Sequence, residues 1–249
     1  MLAIGWRTLY WLPLVAVLAI QLAGIHGSFN LQSSPQEGDF RVISANTFYF
    51  NQNTDGLQTL LALDPDVLFI HEANNAWIEA ISAQIEYPTR AWTQAGVEGV
   101  AILSKHETHI EDTFIYDQEM LTLNLPGLRI LGVHPTAPVS RENHQRRNLQ
   151  FQAISNIASN SKDPMLILGD FNSTVWNPSF KRMEKEGELR AAQRDFPLKS
   201  TWFSRSLLFG LPIDGALASP ELKVTGFTRG PAIPGTDHFP IVVDLLQTQ

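Results

Sequence analysis

Four short apolar runs in this chain each stop at a residue able to do chemistry. Val42-Ile43-Ser44-Ala45 meets Asn46, and Val67-Leu68-Phe69-Ile70 meets His71 and Glu72. Ile130-Leu131-Gly132-Val133 meets His134, and Met165-Leu166-Ile167-Leu168 meets Gly169, Asp170, Phe171 and Asn172. Runs this short and this rich in Val, Ile and Leu suit strands. Such runs alternating with helical stretches point to an α/β fold. A rigid sheet aims the residues at its strand ends into a shared cleft. Each polar residue taken alone has a plain explanation: a turn at Asn46, a helix cap at Glu72, an Asx turn at Asp170 and Asn172. The repetition is what points to a site.

Strands are expected at 40–45, 66–70, 100–103, 121–125, 129–133, 165–168, 214–218, 222–227 and 240–245. Helices are expected at 56–63, 76–85, 142–159 and 178–186. In the third helix Leu149, Ala153, Ile154 and Ile157 recur at helical spacing and predict its apolar face. Strands alternate with helices early and follow one another in the middle and at the end, the order of mixed sheets with helices outside them. The chain has no cysteine, so a metal here must be held by oxygen or imidazole. A formal net charge of -7 argues against an electrostatic grip on long DNA. The basic clusters Arg141, Arg146, Arg147 and Lys181, Arg182, Lys185 read as solvated helix faces.

No charge falls within residues 9–25; Arg7 precedes them, and Glu37 and Asp39 follow. This predicts an N-terminal hydrophobic helix within 1–27, with the body of the protein outside the cytoplasm. Trp6, Tyr10 and Trp11 favour a retained membrane anchor; the alternative is a cleaved signal and a secreted product. Residues 28–38, with Ser33, Ser34, Pro35 and Gly38, read as a linker. A single folded domain is expected over 39–249.

Later segments extend the pattern: Gly99-Val100-Ala101-Ile102-Leu103-Ser104-Lys105, Pro212-Ile213-Asp214-Gly215-Ala216-Leu217 and Gly235-Thr236-Asp237-His238-Phe239-Pro240. With Asn46, Glu72 and Gly169-Asp170-Phe171-Asn172 they resemble, in order, the endonuclease/exonuclease/phosphatase superfamily of pancreatic-deoxyribonuclease type. The resemblance covers about 40 to 245 and extends loosely to membrane-associated bacterial members. It implies a four-layer α/β/β/α sandwich of two mixed sheets flanked by helices, with the site at one edge. It implies Mg2+ or Mn2+ held by Glu72 and Asn46, with Asp237 supporting a ligand or holding a second ion. It casts Asp170 as the group that orients and deprotonates water, and Asn172 as a holder of the phosphate or nucleophile. His238 would contact a non-bridging oxygen, oriented by Asp214, and His134 would be a candidate acid for the leaving group.

Two departures matter. Phe48 stands where some members carry an acid, which weighs against a second metal on that side. Pro135-Thr136 follows His134 where nucleases show a different run. His71, His106, His109 and His144 match no motif and read as surface or structural. The expected activity is divalent-metal-dependent hydrolysis of a phosphoester, by a phosphodiesterase, phosphatase or nuclease. The substrate would be a lipid-linked phosphate or a nucleic acid. The alternative is a membrane-tethered binding module with a degenerate site, although this chain keeps Glu72, Asp170, Asn172, Asp237 and His238. Gly-x-Ser-x-Gly, His-Glu-x-x-His and Walker-type sequences are missing, which removes serine hydrolases, that zinc class and P-loop ATPases.

Overall fold

A computed structural model describes residues 39–195, 199–205 and 210–246; the expected N-terminal helix and linker lie outside them. The chain runs β1 (Asp39–Asn46), α1 (Gly56–Leu61), β2 (Val67–His71), α2 (Asn75–Ser82), β3 (Thr89–Trp92) and β4 (Val100–Ser104). It continues through β5 (His109–Ile115), β6 (Gln118–Leu125), β7 (Leu128–Val133), α3 (Arg141–Ser159) and β8 (Met165–Asp170). Then come α4 (Pro178–Glu186), β9 (Arg190–Ala191), a 3-10 turn (Ala192–Asp195), β10 (Asp214–Ala218), β11 (Val224–Arg229) and β12 (Ile241–Leu246). No described helix is long and apolar enough to cross a membrane.

Two six-stranded mixed sheets form, ordered β11-β12-β1-β2-β4-β3 and β5-β6-β7-β8-β10-β9. Each has one parallel pair at its centre, β1 with β2 and β7 with β8. Strand periodicity then sorts the side chains. Phe40, Val42, Val67, Phe69, Val100 and Ile102 enter the core shared with the second sheet. Ile43, Ala45, Leu68, Ile70, Ala101 and Leu103 face the other way, onto Leu57 and Leu60 of α1 and Trp77 and Ile81 of α2. Phe151 and Ile154 of α3 and Phe180 and Met183 of α4 cover the second sheet. The helices start where side chains satisfy free backbone N–H groups. Asn74 accepts from Ala76 and Trp77, Ser140 from Asn143, and Asn177 from Ser179 with Pro178 next in line.

Two expectations need correction. The buried face of α3 is Arg147, Gln150, Phe151, Ile154 and Ser155, whereas Leu149 is exposed. A polar pair, Arg147 and Gln150, is buried because it serves the site described below. The other correction concerns strands: β3, β5 and β9 are additional to those expected, and β11 begins two residues later than the expected 222.

The topology brings the run ends together. In the parallel pair β1–β2, Asn46 lies beside His71, and in β7–β8, Val133 lies beside Gly169. Antiparallel β10 sets Asp214 opposite Asp170. The sheets approach closely here: a Cβ on Gly132 would sit 2.2 Å from the Phe69 ring.

Candidate active site

Asn46 continues the inward face of Phe40, Val42 and Ser44, so its amide emerges between the sheets. Its Nδ2 donates to Glu72 Oε1 at 2.9 Å and to Asp170 Oδ2 at 3.2 Å, while its Oδ1 accepts from the Phe48 N–H. As placed, the amide turns its nitrogen to the acids, and service as a metal ligand requires it to turn over. Glu72 leaves β2 at φ 57, a left-handed conformation costing roughly 1–3 kcal/mol for a residue with a side chain. Its second oxygen accepts from the Tyr49 N–H at 2.8 Å. Phe48 (φ 61) and Asn172 (φ 48) share that conformation, so backbone strain gathers around one point.

Asp170 is buried at the end of β8, and its Oδ1 accepts from the Asn172 N–H at 2.8 Å. Its Oδ2 lies 3.7 Å from both His134 Nε2 and His238 Nε2. His134 Nε2 is also 3.7 Å from Glu72 Oε1. His238 Nδ1 pairs with Asp214 Oδ2 at 2.9 Å, and the Asp214 backbone N–H donates to Thr201 Oγ1. Asn172 donates its side-chain amide to the Pro135 carbonyl. A cavity of about 610 Å³ opens on Glu72, His134, Asp170, Asn172, Asp237 and His238. Asn46 and Asp214 stand behind those residues. Asp237, on the same cavity wall, accepts from the Trp202 indole through its Oδ2 at 3.3 Å.

Burial works against a proton on His238, but the charges of Asp214, Asp170 and Asp237 outweigh it and lift the imidazolium to about 10. Burial pushes Asp170 up to about 6, with His238 and His134 pulling the other way and Asp214 adding to the rise. Asp170, Asp214 and His238 offer ligand atoms within 4.8 Å of one another. A protonated imidazole is no metal ligand, so the Asp214–His238 pair is a poor ion site. The oxygens of Glu72 and Asp170 suit a hard divalent cation better. Four acids meet here with His238 as the group lifted into its cationic form, and a cation would relieve the penalty carried by Asp170.

Three neighbours escape sequence reasoning. Gln118 donates to the His134 carbonyl, and Gln150 joins Gln118 to the Thr136 N–H, which fixes the loop bearing His134. Arg147, expected on a solvated helix face, is instead buried and donates to the Asn172 carbonyl. For Arg147 and Gln150 the one sequence signal is polarity on a helix face that packs inward; Gln118, at the start of β6, has none. His71 is buried beside the site, 3.1 Å from Ser44 Oγ, with Nδ1 lacking a partner and burial holding its pKa well below the usual histidine range. That fits a structural role.

A family model described as Endonuclease/Exonuclease/phosphatase family matches residues 27–238. Among curated proteins nothing matches. Solved structures share the fold at low identity. A D. rerio TDP2 humanized by 14 mutations superposes with TM-score 0.67 at 17% identity, over 84% of this chain and 100% of that one. A point variant of the 3′ phosphatase NExo from Neisseria, bound to product DNA hairpin, gives 0.65 at 18% identity, over 83% and 99%. Truncated Caenorhabditis elegans TDP2 gives 0.62 at 17%, over 86% and 100%.

Proposed function

Because this chain belongs to the endonuclease/exonuclease/phosphatase family, we propose that it is a divalent-metal-dependent phosphoester hydrolase. The observation that carries this reading is the convergence of Glu72, Asp170, Asn172, His134 and His238, from separate parts of the chain, on one cavity. Glu72, with Asn46 once its amide turns, would hold Mg2+ or Mn2+ beside Asp170. The ion supplies Lewis-acid stabilisation of charge on the phosphoryl oxygens. Asp170 in its anionic form orients a water and accepts its proton. His238, kept cationic by Asp214, donates to a non-bridging oxygen as charge grows there. Asn172 steadies the phosphate or the water. His134, 3.7 Å from both Glu72 and Asp170, stands where it can give a proton to the leaving oxygen. Asp237 supports His238 electrostatically and offers a further carboxylate at the cavity wall.

The substrate class stands between a nucleic acid and a lipid-linked phosphate. DNA product in the Neisseria phosphatase supports the first. The uncharged stretch 9–25 supports the second, as an anchor that keeps domain 39–249 at the outer face of a membrane. The full chain, given Mg2+ or Mn2+, is expected to hydrolyse at least one of a phosphate monoester, a diester, single-stranded DNA and a lipid phosphate. Chelation should stop it. Glu72→Ala and Asp170→Ala should each lower the rate by about 10²-fold or more with the circular dichroism spectrum retained. Full metal-dependent activity in either variant would overturn these roles.

A further inference from the structure

The mouth of the cavity is apolar where a nucleic-acid cleft would be basic. Phe50, Val97, Val139 and Leu211 line it and are 73%, 53%, 83% and 47% exposed. Single exposed apolar side chains are ordinary, but several converging on one cavity form a patch with a use. Among the described residues, no lysine or arginine lines this cavity. Three guanidinium groups touch lining residues from outside the cavity; Arg147, buried, donates to the Asn172 carbonyl. Arg146 bridges Glu98, itself at the wall, to Asp117. Arg205 lies over the Phe48 ring and donates to the carbonyls of Gly235 and Thr236. A long polyanion draws its affinity from neutralised phosphates. Here Glu98 is already matched by Arg146 and Glu72 would be taken up by the ion, so the wall offers further phosphates no free cation, and Asp237 opposes them.

We infer that the substrate is an amphiphile: one phosphoester group carrying an alkyl or prenyl chain that lies along Phe50, Val97, Val139 and Leu211. This rests on the hydrolase reading above. Water oxygen bonds to phosphorus, the P–O bond to the leaving group breaks, and the leaving oxygen ends with a proton. The chain contributes binding only.

The test uses the full chain with Mg2+ or Mn2+ and soluble 4-nitrophenyl alkyl phosphates bearing methyl, butyl and octyl groups. Burying two methylenes is worth about tenfold, so kcat/KM should rise by at least about that factor from methyl to octyl. The double variant Phe50→Asp, Val139→Asp should bring the octyl-to-methyl ratio close to one. Partition of the octyl ester into detergent would raise the ratio equally in both proteins. Equal kcat/KM across the series, a ratio unchanged in the variant, or an oligonucleotide turned over faster than the octyl ester would each overturn the inference and leave the hydrolase reading standing. No turnover of any ester with either metal would overturn both.

Discussion

Two groups 3.7 Å apart both hold their protons more tightly than usual. Asp170 holds its proton up to about pH 6 and His238 holds its own up to about 10. A base that works as an anion and a donor that works as a cation function together only between those limits. kcat/KM is therefore expected to climb as pH rises through about 6 and to fall as it passes about 10. Bound Mg2+ favours the Asp170 anion, so in the metal-loaded enzyme the lower limb should lie at or below about 6. Asp214 raises both groups, so Asp214→Asn should move both limbs to lower pH. A basic limb that stays where it was would remove Asp214 from its role as orienter of His238. The stability signs follow from the same shifts. Both groups bind protons more tightly in the folded chain, so both contributions are greatest at low pH. The Asp170 contribution is lost between its ordinary 3.8 and about 6, and that of His238 between 6.5 and about 10.

Strand ends are held by their neighbours, and β8 shows how tightly. Gly169 sits at φ +150, where a Cβ would lie 1.9 Å from the Val133 carbonyl oxygen of the adjoining strand. That oxygen is backbone and has nowhere to go. Gly169→Ala should cost roughly 2–4 kcal/mol, by steric overlap and strained φ together, read as a lower denaturant midpoint at constant m. Gly127, at φ +73 with open space around it, is the control; its alanine variant should cost only about 1 kcal/mol. Equal losses would mean that β7 and β8 can part more easily than their register implies. The same elements explain what can be read in advance. The central strands announce themselves as apolar runs because both faces are covered. The four edge strands are β11, β3, β5 and β9. Three of them go unread and the fourth is displaced, since an edge is blunted with polar residues. His109, Glu111 and Asp112 in β5 spoil any apolar pattern. The acids and histidines of the site are legible for the complementary reason: Glu72, His134 and Asp170 stand just after apolar runs, and Asp214 and His238 just before them. Gln118 and Gln150 are not, because each has meaning only through a partner 32 positions away.

At the scale of the whole molecule, the direction of β1 constrains how the proposed anchor and the cavity work together. Asn46 is at the cavity, so Asp39, at the other end of this strand of 8 residues, begins at the opposite end of the sandwich. The strand's rise places that start about 23 Å behind the site. If the segment 9–25 lies in a bilayer, the cavity can face the same bilayer only when 28–38 runs back alongside the domain. Those roughly eleven residues reach about 36–40 Å when extended, which is enough. Removing 31–36 leaves about five, with a reach of about 17 Å, which is too little. This deletion should leave hydrolysis of the soluble methyl ester within about twofold, since it touches no described residue. Hydrolysis of a long-chain phosphoester embedded in vesicles should fall by about tenfold or more, because the tether no longer turns its high local concentration into productive contact. A Gly/Ser segment of the deleted length put back should restore it. Undiminished turnover on vesicles would mean that the domain reaches its substrate without the tether, as a secreted enzyme would, and a mature N-terminus near Ser28 by mass spectrometry would give the reason.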